Sequence, residues 1–167
     1  MEIRDLTADD PAAIAHAFAA VGWPGKTVEQ YHRYVQEQMD GTRTVLVATV
    51  SGRFAGYVTI CWTSGYSPFR TASIPEIADL NVLPHFRRMR VASTLMDAAE
   101  SLIMVNADVA GIGVGLYADY TAAHLMYLKR GYLPDGRGVA YGGASAQPGT
   151  SVRIDDDLAL MMTRRLG

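Results

Sequence analysis

Three arginines stand within four positions in HFRRMRVAS, residues 85–93. Pro84 precedes them, and an apolar helical pattern opens directly after, at Val91. A strand that stops at a proline and turns straight into a helix leaves the first N–H groups of that helix without partners, at the positive end of its dipole. An anion such as a phosphate is stabilised there, and Arg87, Arg88 and Arg90 add charge around it. A solvated basic turn and a cationic patch for nucleic acid or membrane have the same local sequence, and spacing alone leaves all three open. Upstream, Glu76 lies on the run that feeds this turn. If that strand alternates, Ala78 and Leu80 share its face, and a carboxylate in such a poorly solvated cleft has its pKa pushed up. A solvent-facing glutamate after Pro75 is the other reading. Asp79 falls on the opposite face of a regular strand, which makes it the weaker candidate.

The whole chain narrows these alternatives. Its 167 residues carry a net charge of −2, so no global basicity draws it to polyanions. No further Lys/Arg run with interleaved aromatics accompanies the turn, so nucleic acid is not an expected partner. The four histidines (His16, His32, His85, His124) lack ligand spacing, so no metal site is expected. Asp155, Asp156 and Asp157 read as a solvated turn rather than a ligand cage. One cysteine, Cys61, excludes an internal disulfide and is expected to be buried and inert. The N-terminus has no signal-type apolar core and no run reaches membrane-spanning length, so a cytoplasmic protein without a membrane partner is the expectation.

The elements that must position these residues follow from periodicity. EIRDLT alternates as a strand, and Asp10-Pro11 has the form of an N-cap followed by proline at the first helical position. Thr27 and Gln30 can form a capping box for a second helix with Val28, Tyr31, Val35 and Met39 on one side. Two β-rich runs meet at Ser51-Gly52 as a hairpin. A Ser/Gly/Pro-rich loop, 63–73, leads to IPEIADLNV. The stripe Val91, Leu95, Ala98, Leu102, Val105 marks a helix. GIGVGLYA is a strand with Gly113 and Gly115 on one face, and Asp119 or Thr121 caps a short helix that ends at Gly131. Two strands close the chain. This order gives one α/β domain over residues 1–167, with a mixed central sheet of about seven strands flanked by about four helices.

VLPHFRRMRVASTLM resembles the signature of the GCN5-related N-acetyltransferases (GNAT): Val-x-Pro, then Arg/Gln-x-x-Gly-x-Gly/Ala and a helix. Arg87 matches its first position and Ala92 its last. YTAAHLMYLKRGYLPDG is similar to the second half-signature, through Ala123, Tyr127, Arg130, Gly131 and Tyr132. The motifs occur in the family's order with a strand between them, so the resemblance covers essentially the whole chain. It implies a GNAT-type fold splayed at an acyl-CoA cleft, with acetyl-CoA as acyl donor. The backbone of Leu80, Asn81 and Val82 would pair with the pantetheine arm. The amides of Arg87, Arg88, Met89, Arg90, Val91, Ala92 and Ser93 would wrap the diphosphate. Arg90 departs from the signature, standing where glycine is expected. It is expected to take the helical conformation of a first turn, where arginine is tolerated and its N–H survives. Because the backbone amides rather than this side chain would carry the site, Arg90→Gly is expected to preserve or tighten CoA binding.

The resemblance also implies roles. Glu76, six residues before Val82, occupies the position of the general base in several family members. Tyr127 is the family-type general acid for the leaving thiolate, with the small Ala123 leaving room for the thioester on the same helix face. The implied activity is N-acetylation of a primary amine on a small molecule or protein. A non-catalytic acyl-CoA sensor or scaffold is the alternative. Family architecture makes Trp23, Tyr31, Trp62 and the 63–70 loop candidates for acceptor-site walls. A homodimer is compatible with the family, although no residue pattern fixes one.

Overall fold

In a computed structural model, which describes residues 1–167, Ser51 and Gly52 both take positive φ (50° and 73°). That is what a two-residue turn with the twist of its flanking strands requires. It joins β2 (Arg43–Val50) to β3 (Arg53–Cys61) in an antiparallel pair with one irregularity at Ala48/Thr49. The chain divides into two compact units, residues 1–62 with 78–102, and residues 63–77 with 103–167.

In the first unit, β1 (Glu2–Asp5) pairs antiparallel with β2, and β3 neighbours the later residues of β4 (Glu76–Val82). Two helices precede β2: α1 (Pro11–Ala19) and α2 (Val28–Met39). Pro11 starts α1 as expected, but the Asp10 side chain makes no cap bond. It turns back to accept both Arg4 guanidinium nitrogens at 2.7 Å and the Thr7 N–H at 2.7 Å. Thr27 does cap α2, accepting from the Gln30 N–H at 3.3 Å. The α2 face that packs inward is Tyr31 and Tyr34, whereas Met39, at the helix end, is 76% exposed. Phe18, Tyr31, Tyr57 and Ile60 are fully buried here, with Phe18 and Tyr31 both edge-on to Tyr57.

Helix α4 (Val91–Met104) buries Val91, Leu95, Met96, Ala99 and Ile103. The stripe expected from sequence began correctly, but Leu102 is partly exposed and Val105 is 79% exposed. The helix stops at Met104, so Val105 lies past its end and the buried face follows the true helical period through Ile103.

In the second unit, β5 (Val109–Gly115) runs parallel to the start of β4, with Glu76 opposite Gly111 and Ile77 opposite Ile112. On its other side β5 pairs antiparallel with β8 (Leu158–Arg165), which pairs with β6 (Leu133–Tyr141). The short β7 (Ala144–Ser145) completes a hairpin with β6. The loop expected at 63–73 contains helix α3 (Ser67–Thr71), whose Phe69 is buried with Tyr66, Ala140 and Met161. Helix α5 (Thr121–Lys129) follows a 3₁₀ turn at Ala118–Tyr120, and Gly131 ends it at φ 90°. Neither Asp119 nor Thr121 caps α5; the Thr121 hydroxyl bonds the Ala118 carbonyl instead.

The count is therefore eight strands and five helices rather than about seven and four. The added elements, α3 and β7, are five and two residues long, too short to leave a periodic signal. Cys61, expected to be buried, is half-buried at the end of β3.

Candidate active site

The arginine turn is built from an alternation of backbone conformations. A 3₁₀ turn at Pro84–Phe86 anchors it, with the buried Phe86 inside and the Arg87 N–H donating to the Pro84 carbonyl at 3.2 Å. Arg87 is extended at φ −63° and ψ 152°, Arg88 is left-handed at φ 63°, and Arg90 is left-handed at φ 64°. The helical conformation expected at Arg90 is thus not the one adopted. The chain reverses between the 3₁₀ turn and α4 in four residues, and two left-handed positions accomplish it. Glycine takes that conformation freely; an L side chain strains there. The first helical bond is Thr94 N–H to Arg90 O at 3.0 Å, so the amides of Val91, Ala92 and Ser93 precede the hydrogen-bonded ladder. Left-handed residues next to a helix start also turn successive N–H groups into one concavity. The three guanidinium-bearing residues are exposed around it, with Arg87 stacked 5.6 Å from the Trp23 ring centroid. Cationic side chains around convergent amide donors fit a diphosphate.

The strand leading to this turn is not regular. Asp79 sits mid-strand at φ 51°, and the expected alternation of Glu76, Ala78 and Leu80 does not run through it. Asp79, the weaker candidate by strand alternation, is a hub. Its Oδ1 receives Lys26 Nζ at 2.5 Å and Asn81 Nδ2 at 2.8 Å. Its Oδ2 receives Tyr57 OH at 2.5 Å, Tyr34 OH at 2.8 Å and Gln30 Nε2 at 3.0 Å. Burial works against its ionisation, but the charge and hydrogen bond of Lys26, with the two tyrosine hydroxyls, hold its pKa below the usual carboxylate value. The same burial and the nearby Asp79 charge push Tyr57 and Tyr34 above the ordinary phenol value. Asn81 is engaged by its side chain, while its backbone carbonyl lies against Gly56, where a Cβ would come within 2.4 Å. Leu80, Asn81 and Val82 are all half-buried.

In the second unit, Glu76 is half-buried and not a freely solvated glutamate. The Ser64 hydroxyl donates to its Oε2 at 2.5 Å. Tyr127 is 6% exposed on α5, and burial pushes its hydroxyl up to about 12, so it keeps its proton through the neutral range. Ala123, one turn earlier, is half-buried. The glycine face of β5 receives side chains: a Cβ at Gly111 would meet the Phe69 ring at 2.3 Å, at Gly113 the Met161 sulfur at 3.1 Å, and at Gly115 the Tyr120 ring at 2.4 Å. Beyond Gly115 a cavity of about 300 Å³ is lined by Tyr117, Tyr120, Thr121 and His124. Tyr117 and Tyr120 both donate to Asp156.

Of the aromatics expected as acceptor walls, Tyr31 is wholly buried core. Trp23 stacks on Phe18 at 5.7 Å, and the Trp62 indole donates to Thr44 at 3.0 Å. Sequence reasoning did not find Ser64, Lys26 or Tyr57, because single polar residues in loops and strands carry no spacing signal. No helix is long and apolar enough to cross a membrane, and no group of three or more His, Cys, Asp or Glu is placed to hold a metal ion.

A profile of the acetyltransferase (GNAT) family matches residues 5–132, a span that includes Glu76, the arginine turn and Tyr127. A search of curated proteins gives no match. Among solved structures, an N-acetyltransferase from Staphylococcus aureus superposes with a TM-score of 0.71 at 15% identity, covering 99% of this chain and 98% of that one. A ribosomal-protein-alanine N-acetyltransferase from Brucella melitensis gives 0.68 at 20% identity, covering 99% of each. The PaiA N-acetyltransferase from Thermoplasma acidophilum, solved with coenzyme A, gives 0.65 at 13% identity and 98% of each. At these identities the likeness speaks for the fold, and the profile match carries the rest. The chain belongs to the acetyltransferase (GNAT) family of acetyl-CoA-dependent N-acetyltransferases.

Proposed function

We propose that residues 1–167 form one catalytic domain that acetylates a primary amine by direct attack, with Glu76 as general base and Tyr127 as general acid. Acetyl-CoA supplies the activated acetyl group. The amides from Arg88 to Ser93, with the exposed Arg87 and Arg88 side chains, hold its diphosphate, whereas the Arg87 N–H, expected to join them, is spent on the Pro84 carbonyl. The backbone of Leu80 to Val82 pairs with its pantetheine arm. An amine is protonated at neutral pH and must lose a proton before its nitrogen can attack, so a carboxylate has to take that proton directly or through water. Glu76 Oε accepts it. The C–N bond forms, the C–S bond breaks, and the Tyr127 hydroxyl gives its proton to the departing sulfur.

The observation that carries this reading is Tyr127. It is buried on α5 one turn after Ala123, and burial keeps its hydroxyl protonated through the neutral range, which any donor to a leaving thiolate requires. The reading is tested by thiol release from acetyl-CoA with a panel of polyamine, aminosugar and peptide N-terminal acceptors. Glu76→Gln combined with Tyr127→Phe should abolish turnover while acetyl-CoA still stabilises the protein. No turnover above that double variant with any amine would leave an acyl-CoA-binding sensor as the better description.

A further inference from the structure

Ser64 is a polar residue with 1% exposure, lying between β3 and α3, and its hydroxyl both accepts and donates a hydrogen bond. Its Oγ accepts the Tyr66 N–H at 2.9 Å and stands 2.5 Å from Glu76 Oε2. An oxygen that already accepts from an amide, beside a carboxylate that only accepts, directs its own hydrogen to the carboxylate. The separation is that of a charge-assisted O–H···O⁻ bond.

The segment around Ser64 is held from several directions. The Arg70 guanidinium donates to the Ser64 and Gly65 carbonyls at 3.1 Å each. The Ser67 N–H donates to the Gly143 carbonyl at 3.2 Å. Gly143, at φ 81°, lies so close that a Cβ would sit 3.0 Å from the Gly65 oxygen. The Tyr66 hydroxyl donates to Asp135 at 3.0 Å and lies 3.3 Å from the Ser145 hydroxyl. Helix α3, strand β6 and the β6–β7 hairpin therefore converge on one four-residue segment, and the side chain that leaves it for the start of β4 is Ser64.

We propose that Ser64 is a positioning residue for acetyl transfer, acting through Glu76 by fixing the orientation of its carboxylate. This rests on the reading of Glu76 as general base. The terminal torsion of a glutamate is broad, and a hydrogen bond to one of its oxygens narrows the arc that the carboxylate samples. A base must meet its proton within hydrogen-bond reach, and a small misplacement is costly in rate. Ser64 holds one oxygen and thereby sets the direction of the group.

The test is a mutant cycle on the full chain, with steady-state thiol release measured on one primary amine that supports turnover in the panel above. Ser64→Ala should lower kcat on the order of 10-fold with KM for acetyl-CoA changed less than about 2-fold, and Ser64→Thr should restore most of the rate. Ser64→Ala in the Glu76→Gln background should cause no further loss, because the group it orients is gone. Gly143→Ala, which presses on Gly65 without touching Glu76, should reproduce a milder form of the Ser64→Ala effect. If Glu76→Gln is slow but Ser64→Ala keeps the wild-type kcat, or slows both backgrounds by the same factor, the positioning role is wrong and the base assignment stands. If Glu76→Gln itself turns over like wild type, the base assignment fails and this inference falls with it.

Discussion

Lys26 Nζ lies 2.5 Å from Asp79 Oδ1, and the Asp79 it binds is the left-handed residue in the middle of β4. The ion pair ties the segment before α2 to an irregular strand, with about a fifth of each side chain exposed. Removing the cation leaves a mostly buried carboxylate with hydroxyl donors but no counter-charge. Lys26→Met should therefore cost about 2–3 kcal/mol, somewhat below the figure for a fully buried pair. Lys26→Met with Asp79→Asn should recover more than half of that. Urea denaturation of the four proteins of this cycle measures it, and additive losses would show that the pair is not coupled.

Arg90 occupies a backbone conformation that favours glycine. The strain of a left-handed L residue is about 1–2 kcal/mol, partly offset by the chain entropy that glycine loses on folding. Arg90→Gly should raise Tm by roughly 1–4 °C and preserve or tighten CoA binding. A loss of CoA affinity beyond 10-fold, by calorimetry, would mean that the guanidinium is itself a phosphate ligand.

The Asp10 carboxylate is held down to about 2, first by the hydrogen bond from Arg4, against the opposing effect of burial, and then by Thr7. A depressed folded-state pKa stabilises fully above the unfolded value, near 3.9, and the benefit disappears as pH falls through the folded value. Asp10→Asn should cost about 1–2 kcal/mol at pH 7, and the gap from wild type should close between about pH 4 and pH 2. A gap that persists at pH 2 would assign the loss to packing instead.

Gly111 leaves no room for a side chain, because the Phe69 ring fills the space. Phe69 is buried edge-on to Tyr66 at 4.9 Å and has little freedom to withdraw. Gly111→Ala should cost about 1–3 kcal/mol by overpacking, and Phe69→Leu in the same chain should return part of it. Thermal denaturation of the single and double variants checks both expectations.

Tyr127→Phe removes a proton donor without changing the ring that packs in α5. With Tyr127 in the proposed role of general acid, worth about 10²–10⁴ in rate, kcat should fall by at least that lower bound with little change in Tm. With the hydroxyl at about 12, wild-type kcat should show no alkaline decline from Tyr127 below about pH 11. A decline centred near the ordinary tyrosine value that disappears in the phenylalanine variant would contradict this.

The sequence by itself determined the hairpin at Ser51-Gly52, the helices at Pro11, Thr27 and Val91, and the two motifs that carry the family. These are local features, set by turn chemistry, caps and the helical period, and each survives without knowledge of what packs against it. What only the tertiary structure decided depends on partners distant in sequence. A left-handed φ at Asp79 breaks an alternation that periodicity takes as regular, and the carboxylate that was the weaker candidate becomes the centre of a five-donor network. The left-handed Arg90 follows from how the chain must reverse before α4, which its residue type argued against. Ser64 meets Glu76 across twelve positions of sequence, and hydrogen bonds of that kind have no period to read.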